Sequence, residues 1–409
     1  MPSLDLLRTV LSKGIRAPVR SYTRLILKSY QCDSQAPSSN RSHSNTPGQM
    51  GIRPRVAVLY QALDPPIIRG MTKPKKPGGY QDSGADIAYA LRNCVDIDVI
   101  SPSPTPDPTK DVGWCYPDTE EGIIEALDKG ATHLWANTIL FAAHPLQTSR
   151  RLERYLDSIQ VVGQGPLVVE KYDDKQYLND LLRGFGGFTM PKTWCIRDSE
   201  DIVSKLDSLS YPIVAKPVRG RGSQGVKVCH SPEELIDHAR SLLISSSAII
   251  LEEFLEGEEI TITVMPPSRQ EPRYWALPVV TRLNHQQGIA PYNGTVAVME
   301  NSKALSEFEL DQFHIRAMRE CEMAAQALGV TAPIRIDARR MKNSSNSGFA
   351  LFDVNMKPNM TGTGRPGRDK QASLTLIAAL SLKWDYEKLL REILSTSRSL
   401  KELRKLQPN

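Results

Sequence analysis

The chain has 409 residues, of which 40% are hydrophobic and 24% are charged, a composition typical of globular proteins of two or three domains. No uninterrupted apolar run approaches the roughly 20 residues that a bilayer-spanning helix needs, which excludes a transmembrane protein. The six cysteines form no C-x-x-C pair, which excludes a zinc ribbon and a dense disulfide framework and favours a reducing compartment.

The net charge of +5 lies in residues 1–50, which hold seven basic and two acidic side chains, whereas the remaining residues hold 44 of each. Because residues 51–409 have no net charge, the basic composition does not support a nucleic-acid partner for this part of the chain. Within the basic segment, Leu4, Leu7 and Leu11 recur at helical spacing beside Arg8, which is similar to a mitochondrial transit peptide. We therefore predict a cytoplasmic protein, with mitochondrial import as an open alternative.

Strand and helix patterns alternate after the basic segment. Apolar strand patterns occur at 56–60, 95–100, 132–137 and 159–162, and helical patterns at 83–92, 120–129 and 146–157. This alternation predicts a parallel α/β lobe. Residues 61–80 are rich in Pro, Gly and Lys without periodicity, so we expect a mobile loop there.

After residue 163 the sequence pattern changes to short strands mixed with helices, which predicts an α+β arrangement. Strands are expected at 189–196, 212–217, 225–229, 248–254, 259–265, 274–282, 333–341 and 349–356. Helices are expected at 173–183, 200–206, 232–243, 306–328, 372–382 and 386–394.

A glycine-rich loop, 220–225, fits the pattern G-x-G-x-x-G. A strand pattern rather than a helix follows it, so we interpret it as a hairpin tip and not as a dinucleotide-binding turn. Lys216 ends the buried strand that enters the loop, and a buried lysine requires an anionic partner. Backbone amides with the Ser223 hydroxyl would suit a phosphate, and an ordinary flexible hairpin is the alternative.

An acidic segment, 251–259, follows about 30 residues later. Glu252 and Glu259 adjoin strands and are predicted to face inward, where carboxylates could accept hydrogen bonds from ribose hydroxyls or an adenine amino group. Glu253, Glu256 and Glu258 are typical of a solvated turn.

Two short patterns near the C-terminus predict a metal site. Arg335 and Asp337 point to one face of a strand pattern, as do Asp353 and Asn355 in the next one. If these strands are neighbours, three oxygen ligands meet without His or Cys, which suits Mg²⁺ or Mn²⁺. Surface carboxylates on edge strands are the alternative.

Taken in order, these motifs resemble the ATP-grasp superfamily, and most of all the D-alanine–D-alanine ligase-like carboxylate–amine ligases. The resemblance covers about residues 160–395 with specific motifs and 55–160 loosely. It implies a three-lobed fold, α/β and α+β, in which an N-terminal parallel lobe precedes two α+β lobes that hold ATP between them. We divide the chain into a disordered or targeting tail (1–50), an N-terminal lobe (51–160), a central lobe with the glycine-rich hairpin (161–258), a C-terminal lobe with the metal site (259–395) and a tail (396–409).

The resemblance also implies roles for matching residues. ATP would be contacted by Lys175, Lys216, Gly222, Ser223, Gly225, Glu252, Glu253, Leu255 and Glu259. Two Mg²⁺ or Mn²⁺ ions would be held by Asp337, Asp353 and Asn355. Arg335 would steady the tetrahedral intermediate, and it and Lys216 would be the catalytic residues.

The resemblance implies substrate contacts at several further positions. These are Asn137, His144, Arg365, Arg368 and Tyr292, the last within the lid expected at 284–294. His144 as a capping residue, and an exposed basic loop at 365–368, are the alternatives.

The implied activity is ATP-dependent joining of a carboxylate to an amine through an acyl phosphate. The alternatives are a kinase of a small carboxylate, a D-alanine–D-alanine ligase proper, and a non-catalytic nucleotide-binding module. The expected partners are small molecules, with no nucleic acid and no membrane, and the resemblance allows a homodimer.

Overall fold

The computed structural model describes residues 53–290 and 298–409. Its N-terminal part contains, in chain order, β1 (Arg55–Tyr60), β2 (Ile67–Ile68), β3 (Met71–Thr72), α1 (Gln81–Arg92), β4 (Asp98–Val99), β5 (Tyr116–Pro117), α2 (Glu120–Asp128), β6 (His133–Asn137), α3 (Pro145–Thr148) and β7 (Gln160–Val162). Short 3-10 turns occupy Pro77–Tyr80 and Arg150–Tyr155.

The middle of the chain contains α4 (Pro166–Tyr172), α5 (Lys175–Phe185), β8 (Thr193–Ile196), α6 (Ser199–Lys205), β9 (Ile213–Pro217), β10 (Lys227–Cys229), α7 (Pro232–Leu243) and β11 (Ile249–Glu253). The last part contains β12 (Glu259–Met265), β13 (Trp275–Ala276), β14 (Val280–Arg282), β15 (Ser302–Ala304), α8 (Gln312–Leu328), β16 (Ile334–Arg340), β17 (Phe349–Asn355), α9 (Leu374–Ser381), α10 (Tyr386–Leu394), β18 (Arg398–Ser399) and α11 (Leu400–Lys405).

Three main sheets organise these elements. The first has the order β18-β7-β6-β1-β4, with β5 also paired to β1, and all of its strands except β18 run parallel. The second is antiparallel, with the order β10-β9-β11-β8. The third is also antiparallel, with the order β15-β14-β12-β16-β17 and β13 on β12. The predicted parallel α/β lobe and the α+β remainder are confirmed.

Alternation in β16 shows how the sequence sets one face of the third sheet. Ile334, Ile336 and Ala338 are buried in the hydrophobic core, while Arg335 and Asp337 between them are partly exposed on the opposite face. Because successive strand residues point to opposite sides, the apolar residues on one face place Arg335 and Asp337 between them on the other.

Three predicted elements are interrupted in the structure. The helix expected at 146–157 is divided into α3 and the 3-10 turn Arg150–Tyr155 by the extended backbone of Ser149. The strand expected at 274–282 is divided into β13 and β14 around Pro278, which has no N–H group to donate to a ladder. The helix expected at 306–328 begins instead at Gln312, because the Asp311 side chain accepts hydrogen bonds from the N–H groups of Phe313 and His314 and caps a new helix.

The segment 396–409, predicted as a tail, folds onto the first sheet. β18 pairs antiparallel with β7, and Leu400 and Leu403 of α11 are buried in the core of the N-terminal lobe. Their spacing of three residues places both on one face of the helix. The tail assignment is therefore wrong for this segment.

The loop 61–80, predicted to be mobile, is held by several contacts. β2 and β3 form a hairpin, and Met71 packs against Val218 and Ile250 of the central part. Lys73 pairs with Asp173, and the N–H of Gln61 donates to the Gly79 carbonyl at 2.8 Å. A Cβ at Gly79 would lie 2.0 Å from the Gln61 carbonyl oxygen, so the turn requires glycine.

Within the described ranges, no helix combines the length and the apolar composition that a bilayer span requires.

Candidate active site

A cleft of about 350 Å³ lies between the second and third sheets. Its walls include many of the residues that the sequence predicted for the site: Lys175, Lys216, Gly222, Ser223, Glu252, Glu253, Leu255, Glu259, Arg335, Asp337, Asp353 and Asn355. A concave site of this size with converging charged groups is typical of a small-ligand site.

Lys216 and Glu252 form a buried ion pair on neighbouring strands β9 and β11. The Lys216 ammonium donates to Glu252 Oε1 at 2.9 Å and to the Phe352 carbonyl at 3.2 Å, and both side chains are under a tenth exposed. Burial raises the pKa of the Glu252 carboxyl against the lowering effect of Lys216. Glu252 Oε2 is buried without a hydrogen-bond partner in the described chain, so the carboxylate has an acceptor atom left for a ligand.

Lys175 connects α5 to the third sheet. It is the first residue of α5, where the Asp174 side chain caps the helix by accepting from the Tyr177 N–H at 3.1 Å. Its ammonium donates to Asp353 on β17. Burial is the largest single effect and opposes both charges. The attraction and hydrogen bond between Lys175 and Asp353, together with other charges nearby, outweigh it, so the pKa of Lys175 is raised and that of Asp353 is lowered.

The register of β16 and β17 brings the predicted metal ligands together. Asp337 lies directly opposite Asp353, and Arg335 lies opposite Asn355. Arg335 donates to both oxygens of Asp337, at 3.1 and 3.2 Å, which raises the pKa of Arg335 despite its burial.

These ligands fit a hard divalent cation. Two carboxylates and one amide supply oxygen donors only, which suits Mg²⁺. No group of three His, Cys, Asp or Glu residues within 53–290 and 298–409 has metal-binding geometry. A cation at this place would therefore need further oxygen atoms, such as those of phosphate or water.

The glycine-rich loop is a hairpin tip between β9 and β10, as predicted. Gly222, Ser223 and Gly225 have φ angles of +57°, +57° and +75°, a region in which glycine costs least. Gly222 and Ser223 line the cleft, whereas Gly225 does not. The Gly225 carbonyl lies 3.0 Å from Nε2 of His238.

Glu259 lies at the other end of the cleft. It is 8% exposed and its carboxylate lies 2.9 Å from His285 Nε2. Arg339 donates to the carbonyls of Gly257 and Gly288, at 2.9 and 2.6 Å, and so holds the segment that starts the expected lid. Glu253 is exposed, as expected for a solvated turn, and Leu255 is buried.

Asn137 and His144 do not line the cleft. Asn137 is buried and donates to the Tyr80 carbonyl at 2.9 Å and to Ser83 Oγ at 3.1 Å. His144 caps α3, since its Nδ1 accepts from the Leu146 N–H at 3.1 Å. The structure therefore does not bring either residue to the cleft, and their substrate contacts stay predictions. The capping role expected as the alternative for His144 is present.

Arg365 and Arg368 also lie outside the cleft wall. Arg365 is 1% exposed and donates to Asp86 at 2.7 Å and to Asp111 at 2.6 Å. Arg368 donates to the other oxygen of Asp86 at 2.8 Å. Both arginines bind side chains of this chain, which corrects the predicted substrate role and the exposed-loop alternative. Tyr292 lies outside the described residues.

Sequence reasoning missed several cations and aromatic rings in the cleft wall, among them Lys73, Lys76, Tyr80, Arg221, Arg282 and Lys357. The basic run at 73–76 was a visible signal. Its placement depends on the folding of the loop 61–80 against the central part, which the local pattern does not contain.

The fold and the cleft define an ATP-grasp protein: two antiparallel sheets enclose a site with paired lysines, a glycine-rich hairpin and facing carboxylates. The family model described as "D-ala D-ala ligase C-terminus" matches residues 186–394, just over half of the chain. The chain belongs to this family, whose D-alanine–D-alanine ligases are ATP-dependent carboxylate–amine ligases.

Individual relatives agree with this placement. The D-alanine–D-alanine ligase of Aquifex aeolicus is 27% identical over 225 residues, which cover 54% of this chain and 68% of that protein. That of Bacillus anthracis is 27% identical over 227 residues, which cover 55% and 66%.

Solved structures share the fold over most of the chain. The D-alanine–D-alanine ligase of Bacillus anthracis complexed with ATP matches with a TM-score of 0.57 and 19% identity, covering 86% of this chain and 98% of that one. The VanG D-Ala:D-Ser ligase of Enterococcus faecalis matches with a TM-score of 0.57 and 14% identity, covering 84% and 98%.

Proposed function

We propose that this protein is an ATP- and Mg²⁺-dependent ligase that joins a small carboxylate to an amine and releases ADP and phosphate. The observation that carries the proposal is the direct opposition of Asp337 and Asp353, with Lys175 and Lys216 at the same end of the cleft. Oxygen ligands beside two ammonium groups suit a polyphosphate with its divalent cation.

A carboxylate is a poor acyl donor, so the reaction needs activation. An oxygen of the acid would attack the γ-phosphorus of ATP as the bond to ADP breaks, giving an acyl phosphate. The amine nitrogen would then attack the carbonyl carbon, and the C–O bond to phosphate would break as the nitrogen loses a proton.

The chain's residues would assist at the charged steps. Lys175, Lys216 and the amides of the hairpin 220–225 would bind and orient the phosphates. Mg²⁺ held by Asp337, Asp353 and Asn355 would neutralise phosphate charge. Arg335 would face the negative charge of the tetrahedral intermediate.

Water must be excluded, because an acyl phosphate hydrolyses. The hairpin 220–225 and the segment 284–290, held by Arg339, flank the cleft and would cover it when ATP is bound.

The test is release of ADP from ATP and Mg²⁺ by the full chain with pooled L- and D-amino acids as acids and amines. We expect turnover that requires an amine, an amide product seen by mass spectrometry, loss of turnover in Lys216→Met, and reduced turnover in Asp353→Asn when Mg²⁺ is limiting. Lys342→Met serves as a control, because Lys342 is an exposed lysine outside the cleft.

The other outcomes identify the alternatives. A phosphorylated acid formed without an amine, trapped by hydroxylamine, would indicate a kinase. Turnover with D-alanine alone would indicate a D-alanine–D-alanine ligase proper. ATP binding without turnover in any pool would contradict the enzymatic proposal.

The expected partners are small molecules. The absence of nucleic-acid and membrane partners, the homodimer, and a cytoplasmic location with mitochondrial import as the alternative all stay predictions. The targeting hypothesis concerns residues 1–50, which lie outside the described residues.

A further inference from the structure

Lys357 is a half-buried lysine in the cleft wall. Its Nζ is shielded from solvent and has no hydrogen-bond partner among the described residues. An ammonium removed from water without a partner is costly, so such a group is commonly matched by an anion that binds there.

Other cations converge on the same place. The Lys357 Nζ lies 3.4 Å from the centre of the Tyr80 ring, the Lys76 Nζ lies 4.9 Å from it, and the Arg221 guanidinium carbon lies 5.7 Å from it. These three cations come from the C-terminal, N-terminal and central parts of the chain. We call Lys76, Tyr80, Arg221 and Lys357 the Tyr80 cluster.

The carboxylate near this cluster does not neutralise it. Both oxygens of Asp82 are bound by Lys76, at 2.6 and 2.7 Å. Lys76 is thus matched by Asp82, whereas the Lys357 Nζ has no hydrogen-bond partner among the described residues, and both lysines line the cleft. An anionic ligand group is therefore favoured here.

The position of the cluster separates it from the lysines proposed to bind phosphate. Lys175 and Lys216 bind Asp353 and Glu252. Lys357 follows Asn355 beyond the end of β17 and faces Tyr80, which precedes α1 of the N-terminal lobe. A group held by Lys357 would thus lie between the proposed metal ligands and the N-terminal lobe.

Local structure keeps Tyr80 in place. Its φ angle is +69°, and its carbonyl accepts a hydrogen bond from the buried Asn137 side chain. Gly79 before it has no space for a side chain, and the Tyr80 ring lies beneath the three cations.

We propose that the Tyr80 cluster, through Lys357, binds a second carboxylate of the acid substrate, so that the preferred substrate is a dicarboxylic acid. This inference rests on the proposed ligase function for the identity of the site as the acid's site. Lys357 is a binding and specificity residue in it and takes no part in bond formation.

The test measures binding without turnover. The full chain is saturated with AMP-PNP and Mg²⁺ and titrated by calorimetry with succinate and glutarate, and with butyrate and valerate as matched monocarboxylates. A charge-assisted hydrogen bond predicts that each dicarboxylate binds the wild type about 10- to 100-fold more tightly than its monocarboxylate.

The variants are Lys357→Met, Lys357→Arg and the surface control Lys342→Met, each checked by thermal unfolding. We expect Lys357→Met to lose the dicarboxylate preference, Lys357→Arg to keep most of it, and Lys342→Met to match the wild type. The affinity for AMP-PNP should be unchanged in all of them. If Lys357→Met does not fold, the relative affinities of the wild type and of Lys357→Arg for dicarboxylates and monocarboxylates still test the proposal.

Two outcomes would overturn the proposal. One is a wild type that binds dicarboxylates no more tightly than monocarboxylates. The other is a Lys357→Met variant that keeps the dicarboxylate preference but loses the preference for AMP-PNP over ADP, which would assign Lys357 to the γ-phosphate. Failure of the ligase proposal is a separate result, because it is seen as absent ADP release while dicarboxylate binding persists.

Discussion

Asp337 and Asp353 face each other as direct partners on β16 and β17, and a different cation holds each carboxylate: Arg335 binds Asp337 and Lys175 binds Asp353. Two like charges directly opposite each other would repel, so the two cations stabilise the arrangement. The same opposition allows both carboxylates to reach one divalent cation together.

Replacing Asp353 with Asn should therefore weaken the binding of Mg²⁺ at the site. We expect the Mg²⁺ concentration for half-maximal ADP release to rise by about tenfold or more, because a neutral amide attracts the cation less than a carboxylate does. The matched control is Asp157→Asn, which removes a surface carboxylate that pairs with Lys401. An unchanged Mg²⁺ dependence in Asp353→Asn would contradict the assignment of this residue as a ligand.

The Lys216–Glu252 pair allows stability and nucleotide binding to be separated. Lys216→Met leaves Glu252 buried without its partner, which should cost about 3–5 kcal/mol of unfolding free energy. The double variant Lys216→Met with Glu252→Gln removes both charges and should recover most of that stability, yet it should still bind ATP weakly because the ammonium is gone. Urea unfolding and ATP calorimetry on the three proteins make the comparison. Recovery of ATP binding in the double variant would show that Lys216 acts only on the fold.

The strands of this site were predictable because their charged and polar residues recur at the two-residue spacing of a β-strand. Arg335 and Asp337 are two residues apart, as are Asp353 and Asn355, and the register of two antiparallel strands was the remaining step. The hairpin nature of 220–225 followed in the same way from the strand pattern after it. The spacing of residues within single strands was thus enough to predict many of the residues in the cleft wall.

Contacts between distant segments could not be predicted in this way. Asp86 and Arg365 are 279 positions apart, and neither stands in a pattern that indicates the other. The three cations around Tyr80 come from different parts of the chain for the same reason. Arg365 was accordingly misassigned to substrate, because an arginine in a loop gives the same local signal whether it binds a ligand or a carboxylate of its own chain.

The Asp86–Arg365 pair joins α1 to the loop after β17 and should be one of the strongest single contributions to stability. Both side chains are almost fully buried. Arg365→Met leaves Asp86 with Arg368 and the Gly362 N–H as its partners, so we expect a loss of about 3–5 kcal/mol of unfolding free energy in urea. Arg391→Met is the matched control, because Arg391 binds Asp96 near the surface, where such pairs contribute about 0–1 kcal/mol. Equal losses in the two variants would contradict the role of burial.

Asp118 should make the unfolding free energy depend on acidic pH. It is 1% exposed, and it accepts hydrogen bonds from the N–H groups of Ala62 and Leu63, at 2.8 and 2.9 Å. Burial opposes its charge, but hydrogen bonds to His144, Thr138 and Leu63 are stronger together and lower the pKa of Asp118 below its ordinary value of 3.8.

The sign follows from proton linkage. A carboxyl with a lowered pKa binds fewer protons in the folded state than in the unfolded state, so its stabilisation is fully present above the ordinary pKa and is lost as the pH falls through the folded pKa. Asp118→Asn should cost about 1–3 kcal/mol near neutral pH, and its difference from the wild type should shrink as the pH falls to about 3 and below. Urea unfolding over this pH range measures both, with Asp128→Asn, an exposed position at the end of α2, as the control. Parallel curves for wild type and Asp118→Asn throughout the range would show that the charge of Asp118 does not contribute to the unfolding free energy. The hydrogen bonds from Ala62 and Leu63 would then stabilise the fold equally well with an amide oxygen as acceptor.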